Sequence, residues 1–247
     1  MKEAKIQKFM HYFFVLFLIS SILQIPSVKG TLTQEGYIGE TLEWTIEDVT
    51  DQSVAWVNYT TFETTGHWQA QANSAINYTI VYRSGNGTNL DLHGQFKIGN
   101  FSINTSNSEI GFNLALSGYT WMGGLIATED DWMKLQTQEP FINESGTIKY
   151  NQIKTFNNTQ INTVQIKYNN SFQTSTLWYE TRTGILIEAN TRVGNFWINF
   201  SLSESTIALP RYTAPLSMPT PMLVGLSILV LSIGIPYKRK KVENSGI

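Results

Sequence analysis

Cysteine is absent from all 247 residues, which removes a disulfide framework, a zinc–thiolate site and a cysteine nucleophile at once. Exported domains in many organisms lean on disulfides, so a domain built from this chain must hold together by its core alone. Basic residues are scarce in the middle. Between Thr31 and Pro221 seventeen acids face nine bases, a balance of −8 inside a chain of net charge −2, because positive charge gathers at the two ends. A body so poor in Lys and Arg has little with which to displace counterions, which argues against nucleic acid as a partner. Charged residues make up 15% of the chain while aromatics reach 13%, the balance of a folded, aromatic-rich domain of which roughly 190 residues remain once a leader and an anchor are set aside. Missing too are the Gly-X-Ser-X-Gly, His-Glu-X-X-His and phosphate-loop spacings, so no hydrolase elbow, zinc-protease helix or nucleotide cradle is written in the chain. No cofactor and no metal site is expected.

Titratable candidates are few. His11 lies at the edge of the leader, and His67 and His93 would meet only through folding. Two ordinary surface or half-buried histidines are a simpler expectation than a shared metal or catalytic site. Glu129, Asp130 and Asp131 supply acids without the spacing of a calcium loop. They suit the first turn of a helix, capped by Thr128 and running to Leu135, where acids favour the positive end of the helix dipole. A short helix ending before Pro140 is the expectation there. Trp56, Trp68, Trp121, Trp132, Trp178 and Trp197 could line a glycan or lipid groove, although such side chains more often fill a core.

The ends carry topology signals. Lys2, Lys5 and Lys8 precede the apolar run Phe13 to Ile25, the pattern of a secretory signal over residues 1–30. Val28 and Gly30 would allow cleavage before Thr31; an uncleaved signal anchor is the alternative. At the other end a Pro-containing linker, 211–221, leads into an apolar stretch, 222–237, followed by Lys238, Arg239, Lys240 and Lys241 in a tail, 238–247. Counted from Leu216 to Tyr237 the stretch reaches the ~20 residues that span a bilayer. The basic cluster belongs inside by the positive-inside rule, which places residues 31–210 outside. The expected partner of this helix is therefore the lipid bilayer.

Between the ends the chain reads as strands. Leu42, Trp44 and Ile46, then Ile76, Tyr78, Ile80 and Tyr82, then Ile110, Phe112, Leu114 and Leu116, then Phe196, Ile198, Phe200 and Leu202 alternate with mostly polar or small neighbours. That period suits an antiparallel sheet with one buried and one wet face. Ser84-Gly85-Asn86-Gly87, Thr183-Gly184 and Gly194-Asn195 supply turns, and the last three strands should form a meander. The fold class expected is mainly β: a single antiparallel sheet, curved or partly closed, with one short helix besides the terminal helices.

Nine Asn-X-Ser/Thr sequons occur, at Asn58, Asn77, Asn86, Asn100, Asn104, Asn143, Asn157, Asn169 and Asn199, where composition alone would give roughly four. In an exported domain each is a candidate glycosylation site. Asn77 and Asn199 fall on the polar phase of their strands. Asn100 shares the phase of Phe96 and Ile98, which requires a strand to end there or the register to slip.

Two resemblances add expectations. Pro219 and Pro221, the apolar stretch and the basic cluster resemble the C-terminal sorting tails of archaeal surface proteins, although the Gly-Phe part of their motif is absent; a plain transmembrane anchor is the reading that remains. The run Leu177-Trp178-Tyr179-Glu180-Thr181-Arg182-Thr183-Gly184-Ile185-Leu186-Ile187 resembles the strand–turn–strand of periplasmic lipoprotein carriers. That likeness implies a curved sheet wrapped around helices and holding acyl chains. The leading expectation is a non-enzymatic cell-surface protein taking a lipid, a glycan or another surface protein as ligand on a concave, aromatic-lined face. A structural envelope component, such as a surface-layer accessory, would have a filled core and a glycan-coated exterior. An envelope-acting hydrolase would need His67 and His93, or two carboxylates about 5–10 Å apart, in one cleft.

Overall fold

The computed structural model describes residues 37–85, 91–117, 123–127, 146–169 and 171–212. The leader, the span 222–237, its basic tail and the helix expected over Thr128–Leu135 lie outside them. Among the described residues no helix is long and apolar enough to cross a membrane.

Among the described residues eleven strands form two antiparallel sheets: β1 Thr41–Val49, β2 Val54–Val57, β3 Thr64–Trp68, β4 Ala75–Ser84, β5 Asp91–Ile98, β6 Phe101–Ser106, β7 Gly146–Phe156, β8 Thr159–Asn169, β9 Gln173–Glu180, β10 Leu186–Val193 and β11 Phe196–Ser205. Nine of them make one sheet in the order β6-β5-β4-β1-β11-β10-β9-β8-β7, and β2 and β3 make a separate hairpin. The first strand is the hinge of the topology, pairing β4 on one side and β11 on the other. The edges β6 and β7 do not pair with each other, so the sheet is not a closed barrel. The meander expected at the end is present and longer than three strands, running from β7 to β11 in sequence order.

Alternation sets the two faces. Leu42, Trp44 and Ile46 of β1, Ile76, Tyr78 and Ile80 of β4, and Ile198 and Phe200 of β11 point to one side, Leu202 following them, and are buried. Tyr82 departs from this pattern and is 53% exposed, because the pairing of β4 with β5 shifts between Ile80 and Tyr82 and turns the strand end outward. Asn100 poses no register problem: β5 stops at Ile98, and Asn100 sits exposed in the turn before β6.

The segment expected as a strand from Ile110 to Leu116 is instead a helix, α1 Asn107–Asn113. Ser106 caps it, its hydroxyl accepting from the Glu109 amide at 3.1 Å. Ser-X-X-Glu is a helix-start signature, and it overrides the period-two reading: Ile110 and Leu114, four apart, are buried, while Phe112 between them is 39% exposed. The helix lies against the backbone of Gly123. A Cβ on Gly111 would sit 1.4 Å from the Gly123 carbonyl oxygen, so only glycine permits the approach.

Two asparagines fix α1 at its ends. The Asn107 amide donates to the Ile126 carbonyl at 2.7 Å and accepts from the Ile126 amide at 3.0 Å. The Asn113 amide does the same with Val57, at 2.9 and 2.8 Å. Each side chain imitates a strand edge, tying the helix to segment 123–127 on one side and to the β2–β3 hairpin on the other. Trp56 of that hairpin is fully buried, donates from Nε1 to Glu109 at 2.8 Å and packs on Phe96 and Phe101 at 5.0 and 5.3 Å between ring centroids. Trp68 is buried edge-on against Phe196. One face of the sheet is thus covered by the hairpin, α1 and segment 123–127, with the core between, where each fully buried large side chain contributes about 1.5–3 kcal/mol.

Candidate functional site: the outer face of the sheet

The residues implied by the carrier resemblance, Leu177 to Ile187, turn out to be a structural lock. Glu180 is 1% exposed. Its carboxylate accepts from the Arg182 amide at 3.0 Å, the Thr183 amide at 2.6 Å and the Thr183 hydroxyl at 2.8 Å, so the buried charge is paired with donors of its own turn. Gly184 follows with φ +69°, and a Cβ there would lie 1.9 Å from the Ala127 carbonyl. Segment 123–127 docks on this turn through an Ile126–Ile185 bridge and bonds from Ala127 to Gly184 and from Leu186 to Leu125. Tyr37 donates to the Thr183 carbonyl at 3.3 Å. Its hydroxyl is held well above the ordinary tyrosine range, first by burial and then by the Glu180 charge.

The covered face leaves no aromatic-lined groove among the described residues. Trp44, Trp56, Trp68, Tyr78, Phe96 and Phe200 are at most 1% exposed, and the Trp44 indole is tied to the Leu186 carbonyl at 2.7 Å. The concave, ligand-accepting face of the expectation is occupied by the protein's own side chains.

Polar residues collect on the opposite face, over β9, β10, β11 and β1. Strand register stacks them in rows: Thr174, Arg192 and Trp197; then Thr176, Asn190, Asn199 and Asp48; then Trp178, Glu188 and Ser201. They alternate with the buried Ser175, Leu177, Ala189, Thr191, Ile198 and Phe200, so the phase that fills the core presents these groups to water. The first two rows line an open depression of about 560 Å³, within the range of small-ligand pockets. Trp197 is its one aromatic ring and is half-buried. The third row is closed by its own contacts. Lys154 reaches from β7 to Glu188 at 2.5 Å and lies 3.8 Å above the Trp178 ring, while Ser201 donates to Glu47 at 2.6 Å and Asn190 to Glu188 at 3.3 Å. Still a quarter exposed to screening water, the Lys154–Glu188 pair contributes about 0.2–1 kcal/mol.

Of the tryptophans considered as groove residues, Trp56 and Trp68 belong to the core and Trp178 and Trp197 to the outer face; Trp121 and Trp132 lie outside the described residues, as do Glu129, Asp130, Asp131, His11, Asn86, Asn143 and Lys238 to Lys241. None of the seven described sequon asparagines is buried. Asn58, Asn100 and Asn157 occupy turns, Asn104 and Asn169 stand exposed on β6 and at the end of β8, and Asn77 and Asn199 lie half-exposed on the outer face. Asn58 uses its carbonyl oxygen to cap its own turn, accepting from the Thr60 and Thr61 amides at 2.9 Å each.

The histidines are not brought into one cleft by strand pairing. His67 is exposed on β3 opposite Ala55, and His93 lies on β5 opposite Tyr82. His93 stacks on the Tyr82 ring at 4.7 Å, and its Nε2 is 2.6 Å from the Ser84 hydroxyl. That serine–histidine contact, which the sequence reading missed, carries no third group on Nδ1 among the described residues. No cluster of three metal-ligating side chains occurs among them either.

No protein-family model matches the chain, and no curated protein matches it. Among solved structures, lipoprotein LppX of Mycobacterium tuberculosis is similar over 76% of this chain and 100% of its own, at 11% sequence identity and a TM-score of 0.26, a weak likeness.

Proposed function

We propose that this is a membrane-anchored cell-surface protein whose β-rich, non-enzymatic ectodomain works through the outer face of its sheet and carries N-linked glycans. The observation that supports it best is the contrast between the faces: one is filled by buried aromatics, the other holds an open depression lined by Asp48, Thr174, Thr176, Asn190, Arg192 and Trp197. A ligand of acyl chains would need the filled face, so a lipid is the lesser candidate and a polar, sugar-like envelope component the better one. The terminal apolar stretch and its basic cluster supply the anchor and the orientation. The filling of the covered face by buried aromatics among the described residues also serves a structural envelope component, the reading nearest to this one. A hydrolase finds less support, since the Ser84–His93 contact has no orienting acid among the described residues.

Fractionation of native cells tests the anchor and the orientation together. The full chain is expected to stay with membranes through a high-salt wash, and peptides from residues 37–212 should be released when intact cells are treated with protease. A chain that washes off in salt, or that only lysis exposes to protease, contradicts the reading.

A further inference from the structure

The depression on the outer face contains a sequon. Asn199 stands in its wall, followed by Phe200 and Ser201, and two residues before it on the same strand is Trp197. Residues two apart on a strand share a face and lie about 7 Å from each other. A substituent on the Asn199 amide nitrogen therefore starts beside the Trp197 ring. Across the neighbouring strands the same position meets Asn190 and Asp48, and Trp197 meets Arg192. Among the described residues the Asn199 side chain has no hydrogen-bond partner. An aromatic plate ringed by amide, carboxylate and guanidinium groups suits a pyranose, whose apolar face stacks and whose hydroxyls both donate and accept.

The other described sequons lack this combination. Trp56 stands two before Asn58 but is fully buried, and the residue two before Asn77 is Ala75. We propose that Asn199 is glycosylated and that the depression seats the first sugars of that glycan, with Trp197 as their platform. This rests on the exported, surface-facing reading above. The donor is a lipid-phosphate-linked oligosaccharide supplied by a membrane transferase. The Asn199 amide nitrogen bonds to the anomeric carbon, the bond from that carbon to the phosphate oxygen breaks, and the lipid phosphate leaves while one amide proton passes to solvent. Because β11 is hydrogen-bonded to both β1 and β10, the transfer precedes sheet closure during export. The glycan is then part of the folded surface, unlike those on the turns.

Three measurements on the full chain purified from its native membranes test this. Glycopeptide mapping is expected to find Asn199 occupied. Oxidative footprinting should find the Trp197 indole protected in the native protein and reactive in Asn199→Gln, and equally reactive in Ser201→Ala, which breaks the sequon by another route. Trp197→Ala should lower the melting midpoint by about 2–4 °C when Asn199 is glycosylated and by less than about 1 °C in the Asn199→Gln background, whereas Asn77→Gln should leave the midpoint and the footprint unchanged. If Trp197→Ala does not fold, the footprint decides, since it needs no change at Trp197. An unmodified Asn199 beside occupied neighbours, or equal reactivity of Trp197 with and without the glycan, overturns the inference and leaves the surface reading standing. A chain bare at every sequon and released by salt takes both down.

Discussion

The two faces of the sheet are built by opposite rules. On the covered face three polar side chains meet designated partners: Asn107 reads the Ile126 backbone, Asn113 reads Val57, and the Glu180 carboxylate is consumed by its own turn, while the Trp68 indole nitrogen is buried with no hydrogen-bond partner among the described residues. On the outer face polar side chains stand in rows that water can reach, some of them paired with one another, and one ion pair is a quarter exposed. Covered positions should therefore tolerate almost nothing, and outer positions almost everything except what concerns a ligand or a glycan.

The sharpest way to break that contrast is Gly111→Ala. The added Cβ would overlap the Gly123 carbonyl, so α1 must leave segment 123–127 or carry the strain. A loss of about 3 kcal/mol or more, the top of the range for overpacking, is expected, read as a large fall in the urea midpoint or as failure to accumulate. Glu180→Ala should follow at about 3 kcal/mol, because the Arg182 and Thr183 donors lose their acceptor. Glu180→Gln keeps an acceptor oxygen and should lose distinctly less; equal losses would mean that the turn needs the negative charge.

Tyr78→Phe is a subtler probe of the same face. The Tyr78 hydroxyl donates to the buried Leu92 carbonyl at 2.9 Å, and its removal should cost about 1–2 kcal/mol. Burial, and then the charge of Asp91, holds this hydroxyl above its ordinary value of 10.0, and Tyr37 is raised likewise. The unfolded chain thus ionises first. Their contribution is complete below about pH 10 and is lost as pH rises above it towards the folded values. Alkaline denaturation curves should accordingly fall less steeply for Tyr78→Phe than for the parent. The smallest effect belongs outside: Lys154→Ala removes the Glu188 pair and the contact over Trp178 and should change stability by about 1 kcal/mol or less.

How much of this was legible follows the same division. Alternation found β1, β4 and β11, and the turns at Gly184 and Gly194 were read from their residues, because local rules govern strands with one wet face. The same alternation misled at Ile110–Leu116, where the Ser106-X-X-Glu109 cap was the better signal. The β2–β3 hairpin was missed because its strands are short and irregular, and its tryptophans are buried through tertiary contact with Glu109, Phe96 and Phe101. Sequon positions are local and could be listed from sequence. That Asn199 alone among the described ones shares a depression with a half-buried ring needed the register of β9, β10, β11 and β1.

The claim that one face is sealed and the other is the working surface is tested most directly by the native mass of the full chain purified from its host membrane. The account predicts the polypeptide mass plus covalent sugar increments, with no lipid-sized companion that dissociates on activation. A protein lacking sugar and releasing a bound lipid would contradict it, since an acyl chain would then lie where Trp44, Trp56 and Trp68 are packed.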